Sequence, residues 1–184
     1  GAKGLMSLDK IRTLLLEYLP HDSFEGLKIP TVITATNFNE CKVAYFSSGE
    51  LINPILASSA IPVFFKPIHI GGKIYIDGGI LNNFPVEPIR SECDFIIGSS
   101  CNHLPETDRI ESYRRLVERS IIMSINSDMA VKAEYCDVII EPHGMGATSV
   151  FDVRKTEEIY WLAYEAALRK LKTDSKLKSL IVAK

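Results

Sequence analysis

Residues 73–89 read KIYIDGGILNNFPVEPI. An apolar run, Ile74, Tyr75 and Ile76, ends directly in Asp77. Gly78 and Gly79 follow, then the pair Asn82–Asn83, then Phe84–Pro85. The run has the β-branched and aromatic character of a strand, so the carboxylate stands at a strand's end. Burying a carboxylate is costly unless something there uses its charge. A lone Asp-Gly after a strand ordinarily makes a turn, the Asp bonding its own backbone while the Gly takes a positive φ. Here the chain resumes an apolar character after the glycines instead of reversing into an alternating strand. Two successive glycines also let a neighbouring segment or a ligand approach the backbone closely. The carboxylate beside them is positioned to reach a second group.

Upstream, IHI, Gly71–Gly72 and KIYI read as a hairpin, since two glycines permit φ > 0 at both turn positions. IPTVITATNF is a strand rich in β-branched residues, and KVAYFSS can pair back with it across the turn NFNEC. In NPILASSAI, Asn53 is placed to cap a helix and Pro54 to occupy its first turn. SLDKIRTLLLEYL is a helix with Ser7 as N-cap and Leu8, Ile11, Leu15 and Tyr18 on one face; Pro20 stops it. Downstream, DFIIGSS and DVIIEP are continuous apolar runs of strand length, with Asp94 and Asp137 as strand-entry residues. Such runs predict strands covered on both faces, as in a parallel sheet between helices. Between them, Ile110, Tyr113, Val117 and Ile121 form one helical stripe. A last helix, KTEEIYWLAYEAALRKL, turns Ile159, Leu162, Ala163 and Ala166 inward. The order strand, helix, strand, helix predicts an α/β layered fold, mixed at the edge that carries the hairpin.

The 184 residues suffice for one domain with a real core. A formal net charge of -2 and the absence of a basic stripe with interleaved aromatics argue against nucleic acid as a partner. No apolar run reaches the length of a transmembrane segment. The N-terminus GAKGLMSLDK lacks the apolar region of a signal peptide. Cys41, Cys93, Cys101 and Cys136 are scattered, with no C-x-x-C pair. They read as small buried thiols in a reducing, cytoplasmic setting. His21, His69, His103 and His143 lie apart, none at metal-ligand spacing from a Cys or carboxylate. No cofactor and no metal is indicated. HIGGK and GMGATS lack the lysine and hydroxyl order of a phosphate loop and read as turns.

Residues 57–89, ASSAIPVFFKPIHIGGKIYIDGGILNNFPVEPI, resemble the second signature region of the patatin-like phospholipases. The matching elements are Ser59-Ala60-Ile61-Pro62, Phe65, Pro67, Asp77-Gly78-Gly79, Asn83 and Pro85-Val86. Several fixed elements in order across about thirty residues make a specific signal, where a bare DGG would not. More loosely, the resemblance runs from Leu5 to Leu171. It implies a three-layer α/β/α sandwich with a mostly parallel, partly mixed sheet. It also implies a lipid acyl hydrolase in which a serine of a G-x-S-x-G elbow attacks the ester and Asp77 is its base, with no histidine between them. Gly78 and Gly79 are the supporting motif, letting the chain turn without blocking the serine. Phe64 and Phe65 face either the core or a lipid pocket.

No G-x-S-x-G occurs in the 184 residues; GSSCN at Gly98 and SSGEL at Ser47 do not match it. The family places its nucleophile upstream of the segment that here begins SLDK. Residues 1–184 therefore read as the C-terminal portion of a single patatin-like domain, with the nucleophilic Ser outside this chain. GAKG resembles the end of a glycine-rich oxyanion loop, but the helix at Ser7 follows too closely for that role. The expected partner is a lipid or ester substrate at a membrane or micelle surface. The alternative is a catalytically inert relative, a lipid-binding or regulatory module. Nothing in the sequence fixes an oligomeric state.

Overall fold

Gly71 and Gly72 adopt φ of 55° and 77°, the left-handed pair that closes a two-residue hairpin. They join β3, Ile68–Ile70, to β4, Lys73–Asp77, in antiparallel register with Ile68 opposite Tyr75. The computed structural model containing this hairpin describes residues 6–101, 106–110, 112–143 and 153–182. GAKG, His103 and GMGATS lie outside the described residues. The chain divides into two units, residues 1–89 and residues 90–184.

In the first unit, β1, Ile33–Asn37, and β2, Lys42–Phe46, form the second hairpin, as the sequence predicts. Its turn is organised by Asn37, whose Oδ1 accepts the backbone N–H of Asn39 and of Glu40, each at 3.1 Å. β1 pairs next with β4, Ala35 standing opposite Asp77. The sheet order is β2-β1-β4-β3, antiparallel throughout. The expected mostly parallel sheet is thus overturned here, and the connections explain why. Turns of a few residues return the chain antiparallel, whereas a parallel neighbour needs a crossover of a dozen residues or more. The one helical crossover, through α2, Ile52–Ser58, joins β2 to β3 at opposite edges of the sheet.

α2 covers the sheet with Ile52, Pro54, Leu56 and Ala57, all buried. One cluster joins Ala35, Ala57 and Tyr75 with Phe46, Ile68 and Ile70; the Phe46 and Tyr75 rings meet edge to face at 5.3 Å. A second joins Leu8, Ile52, Leu56 and Ala60 with Leu15 and Phe65. Phe65 is therefore a core residue. α1, Asp9–Tyr18, packs by Leu8 and Leu15, while Ile11 and Tyr18 of the expected inward face are exposed. α1 is apolar at Leu14, Leu15 and Leu16 as well, so periodicity alone does not select a face. The N-cap is Leu8, not Ser7; Ser7 lies one residue further out, where its Oγ accepts the N–H of Asp9 at 3.2 Å.

The cap of α2 is not Asn53, which lies inside the first turn. Asp22 Oδ1 accepts the N–H of Leu51 at 3.1 Å and of Ile52 at 2.7 Å, from thirty residues upstream. Asp22 itself sits at φ 42°, a region that Asp and Asn tolerate better than most residues.

In the second unit, β5, Ile97–Ser99, pairs in parallel with β6, Val138–Ile140. Asp137 fastens their starts, its Oδ2 accepting Ile96 N–H at 2.9 Å. Coverage on both faces does not hold, since Ile97 is 50 % exposed. The connection contains α3, Tyr113–Ile125, and α4, Met129–Ala133. Tyr113, Val117 and Ile121 do share a stripe, but it is exposed. α5, Thr156–Thr173, half-buries Ile159, Leu162, Ala163 and Ala166 as expected; α6, Ser175–Val182, buries Leu177. Among the described residues no helix is long and apolar enough to cross a membrane.

The long-range cap yields a test. Asp22→Ala removes both acceptor bonds and places a Cβ residue without a compensating side-chain bond at positive φ. It should cost about 1–2 kcal/mol in urea unfolding, and Asp22→Asn should retain most of the stability.

Candidate active site

Asp77 ends β4 and is pinned through its backbone on three sides. Its register partner is Ala35 on β1. Its N–H donates to Ala60 O at 3.1 Å. Its carbonyl accepts the Thr36 hydroxyl at 2.9 Å. The chain then tightens into a 3-10 turn, Gly78–Ile80. Within it the Gly79 N–H donates to Asp77 Oδ1 at 2.7 Å, a charge-assisted bond that fixes the carboxylate.

The glycines serve space, not backbone conformation. Neither has a positive φ, contrary to the usual turn reading. A Cβ on Gly78 would overlap the Thr34 carbonyl oxygen and lie 2.8 Å from its carbon. A Cβ on Gly79 would lie 2.8 Å from Asn83 Oδ1 and 3.0 Å from Asp77 Oδ1. The expected close approach of a neighbouring segment is therefore realised at Gly78, where the segment is the backbone of β1.

Asp77 is half-buried. Burial pushes its carboxyl above the ordinary carboxylate range, and the Gly79 N–H opposes that by favouring the charged form. A half-buried carboxylate with a raised proton affinity, one oxygen held by a backbone donor, can take a proton from an oriented hydroxyl. Ile80, which ends the turn, and Leu81 are exposed, while Asn82, Phe84 and Val86 are buried and anchor the chain.

Asn82 is the residue whose part the sequence reading left unassigned. Its side-chain nitrogen donates to Tyr45 Oη at 2.9 Å and to Glu87 Oε2 at 3.0 Å. The Asn-Asn pair after the glycines was the available signal, yet its β2 partner lies 37 residues away.

The other candidates do not gather here. His21, His69 and His143 are exposed. Among the described residues no group of three or more His, Cys, Asp or Glu side chains converges as a ligand set. Cys41, Cys93 and Cys101 are exposed and Cys136 is half-buried, which corrects the expectation of buried thiols. For Cys41 the reason is local, since it occupies the turn of the β1–β2 hairpin at φ 52°.

With this geometry in view, the family match falls on the segment that carries Asp77. Residues 1–90 match the family model of the patatin-like phospholipases. The matched segment contains the four-stranded sheet, α2 and the whole Asp77 loop. The chain is 33 % identical over 103 residues to an uncharacterized NTE family protein of Mycobacterium tuberculosis (strain H37Rv), covering 55 % of this chain and 29 % of that protein. It is 36 % identical over 71 residues to a probable lipid hydrolase of Invertebrate iridescent virus 6, covering 36 % of this chain and 24 % of that one. It is 33 % identical over 87 residues to the human patatin-like phospholipase domain-containing protein 2, covering 44 % and 17 %. The chain spans less than a third of the length of each of these relatives.

The two glycines should separate in a stability assay. Gly78→Ala meets backbone that cannot give way and should lose about 1–3 kcal/mol in denaturant unfolding. Gly79→Ala meets side-chain ends that can rotate and should lose clearly less. Equal losses would contradict the close packing of Gly78 on Thr34.

Proposed function

We propose that this chain supplies the C-terminal, base-bearing portion of a patatin-like lipid acyl hydrolase domain of three-layer α/β/α architecture. Asp77 is the general base, and the nucleophilic Ser comes from residues outside this chain. The observation that carries the reading is a half-buried carboxylate at the end of a central strand, held at Oδ1 by Gly79 N–H. The family match over residues 1–90 and the lipid-hydrolase name of the viral relative support it.

In this reading Oδ2 of Asp77 receives the serine hydroxyl proton as the serine oxygen bonds to the ester carbonyl carbon. Collapse of the tetrahedral intermediate breaks the ester C–O bond, and the leaving alcohol takes the proton back from Asp77. Water then repeats the sequence: Asp77 accepts its proton, the hydroxyl adds to the acyl carbon, and the serine oxygen departs with the proton as the free acid forms. The raised proton affinity of Asp77 suits both directions of transfer. No metal or cofactor enters any of these steps. The substrate is a lipid or ester at a membrane or micelle surface. A cytoplasmic setting belongs to the same proposal.

Residues 1–184 alone should neither hydrolyse short-chain esters nor react with a fluorophosphonate. A longer protein extended upstream through a G-x-S-x-G should do both. In that protein, Asp77→Asn should lower ester turnover about a hundredfold or more while the thermal unfolding transition persists. Turnover at the parent rate by a folded Asn variant would reduce Asp77 to a turn residue. An extended protein that carries the elbow yet hydrolyses nothing would favour the inert module.

A further inference from the structure

We infer that Asn82 is a positioning residue for the Asp77 carboxylate, acting through the Gly79 N–H. The inference rests on the proposed role of Asp77 but is decided by separate measurements. Asn82 is 5 % exposed. Its backbone N–H donates to Gly78 O at 2.9 Å, sharing that carbonyl with the Leu81 N–H that closes the 3-10 turn. Its side-chain nitrogen, with two hydrogens, serves Tyr45 Oη on one side and Glu87 Oε2 on the other.

Tyr45 is the β2 register partner of Thr34. Thr34 is also the residue whose carbonyl Gly78 abuts. The five-residue stretch from Gly78 to Asn82 is therefore clipped to the same rung of the sheet at both ends. Gly78 is held by steric fit against β1, and Asn82 is held by a hydrogen bond to β2. Gly79 lies between the clips, with its N–H aimed at Asp77 Oδ1. Removing the Asn82 side-chain bonds frees the far end of the turn from its tie to β2. The Gly79 donor then samples other directions, and the carboxylate loses the bond that fixes its plane.

The residue type fits this task. An aspartate at position 82 keeps the shape but loses both donors and sets a carboxylate beside that of Glu87. An alanine loses the bonds to Tyr45 and Glu87 and keeps the backbone bond to Gly78. A buried Asn that merely fills space would leave Gly79 protected in Tyr45→Phe, because the volume at position 82 is unchanged there.

The test uses the ¹⁵N-labelled chain with Asn82→Asp, Asn82→Ala and Tyr45→Phe. Two signals are read: the hydrogen-exchange rate of the Gly79 amide, and the pH-dependent shift of its resonance, which reports ionisation of the carboxylate it donates to. Asn82→Asp should speed Gly79 exchange about tenfold or more and flatten its pH-dependent shift, with Ala35 and Thr36 amides of β1 still protected. Tyr45→Phe removes one acceptor from a partly exposed side chain and should give an intermediate change. If the Asn82 variants unfold, Tyr45→Phe decides alone. Parental Gly79 exchange and shift in the folded variants would overturn the inference. In the longer protein carrying the nucleophile, Asn82→Asp should lower kcat with KM retained. A parental kcat despite a displaced Gly79 signal would also overturn it. A parent longer protein without turnover would count against the proposed hydrolase alone, since the Gly79 signals are read without substrate.

Discussion

The contact between Gly78 and the Thr34 carbonyl sets the geometry of the turn that follows β4. Backbone meets backbone there with no room for a methyl group. That approach exists because β1 and β4 are central neighbours in register, Ala35 opposite Asp77, with the Thr36 hydroxyl bonded to the Asp77 carbonyl. The chain cannot continue as a strand past this point and folds into the short turn instead. The turn supplies the Gly79 N–H, and the N–H orients the carboxylate. A chain of local consequences thus leads from a residue with no side chain to an acid group with restricted solvent.

Such a site depends on a rigid support, and the first unit provides it economically. α2 seals one face of the sheet with Ile52, Pro54, Leu56 and Ala57, and its own start is held by Asp22. Just beyond α2, Ala60 O accepts the N–H of Asp77. The helix that forms the core therefore leads directly to the segment that pins the site. Packing and the orientation of the carboxylate are two results of one arrangement. Positioned donors and a partly desolvated acid are what proton transfer from a hydroxyl requires.

Much of this was legible in the residues. Gly71–Gly72 announced the hairpin because only a turn with two positive φ values needs that pair. Asp77 at a strand's end and the close approach at the following glycines were legible for similar reasons of space. The direction of the sheet was not. DFIIGSS and DVIIEP resemble buried parallel strands, and they do pair in parallel, but over three residues each and with Ile97 half open. An apolar run does not encode its neighbours; the connections do. The cap from Asp22 and the tie between Asn82 and Tyr45 escaped because their partners lie 30 and 37 residues away. The packed face of α1 was ambiguous because apolar side chains surround that helix.

The account stands on the ionisation of one carboxyl group, which burial raises and a single N–H opposes. Protonation of such a group is easier in the folded chain than in the unfolded one, so acid favours the fold at this position and the penalty grows as pH rises through its folded value. The most direct measurement is a ¹³C titration of the aspartate carboxyls in the folded chain, with Asp77→Asn to assign the resonance. The account predicts that Asp77 titrates above the ordinary aspartate value of about 4. A midpoint at or below that value would contradict it, because the carboxylate would then be a well-solvated turn group with no heightened affinity for a proton.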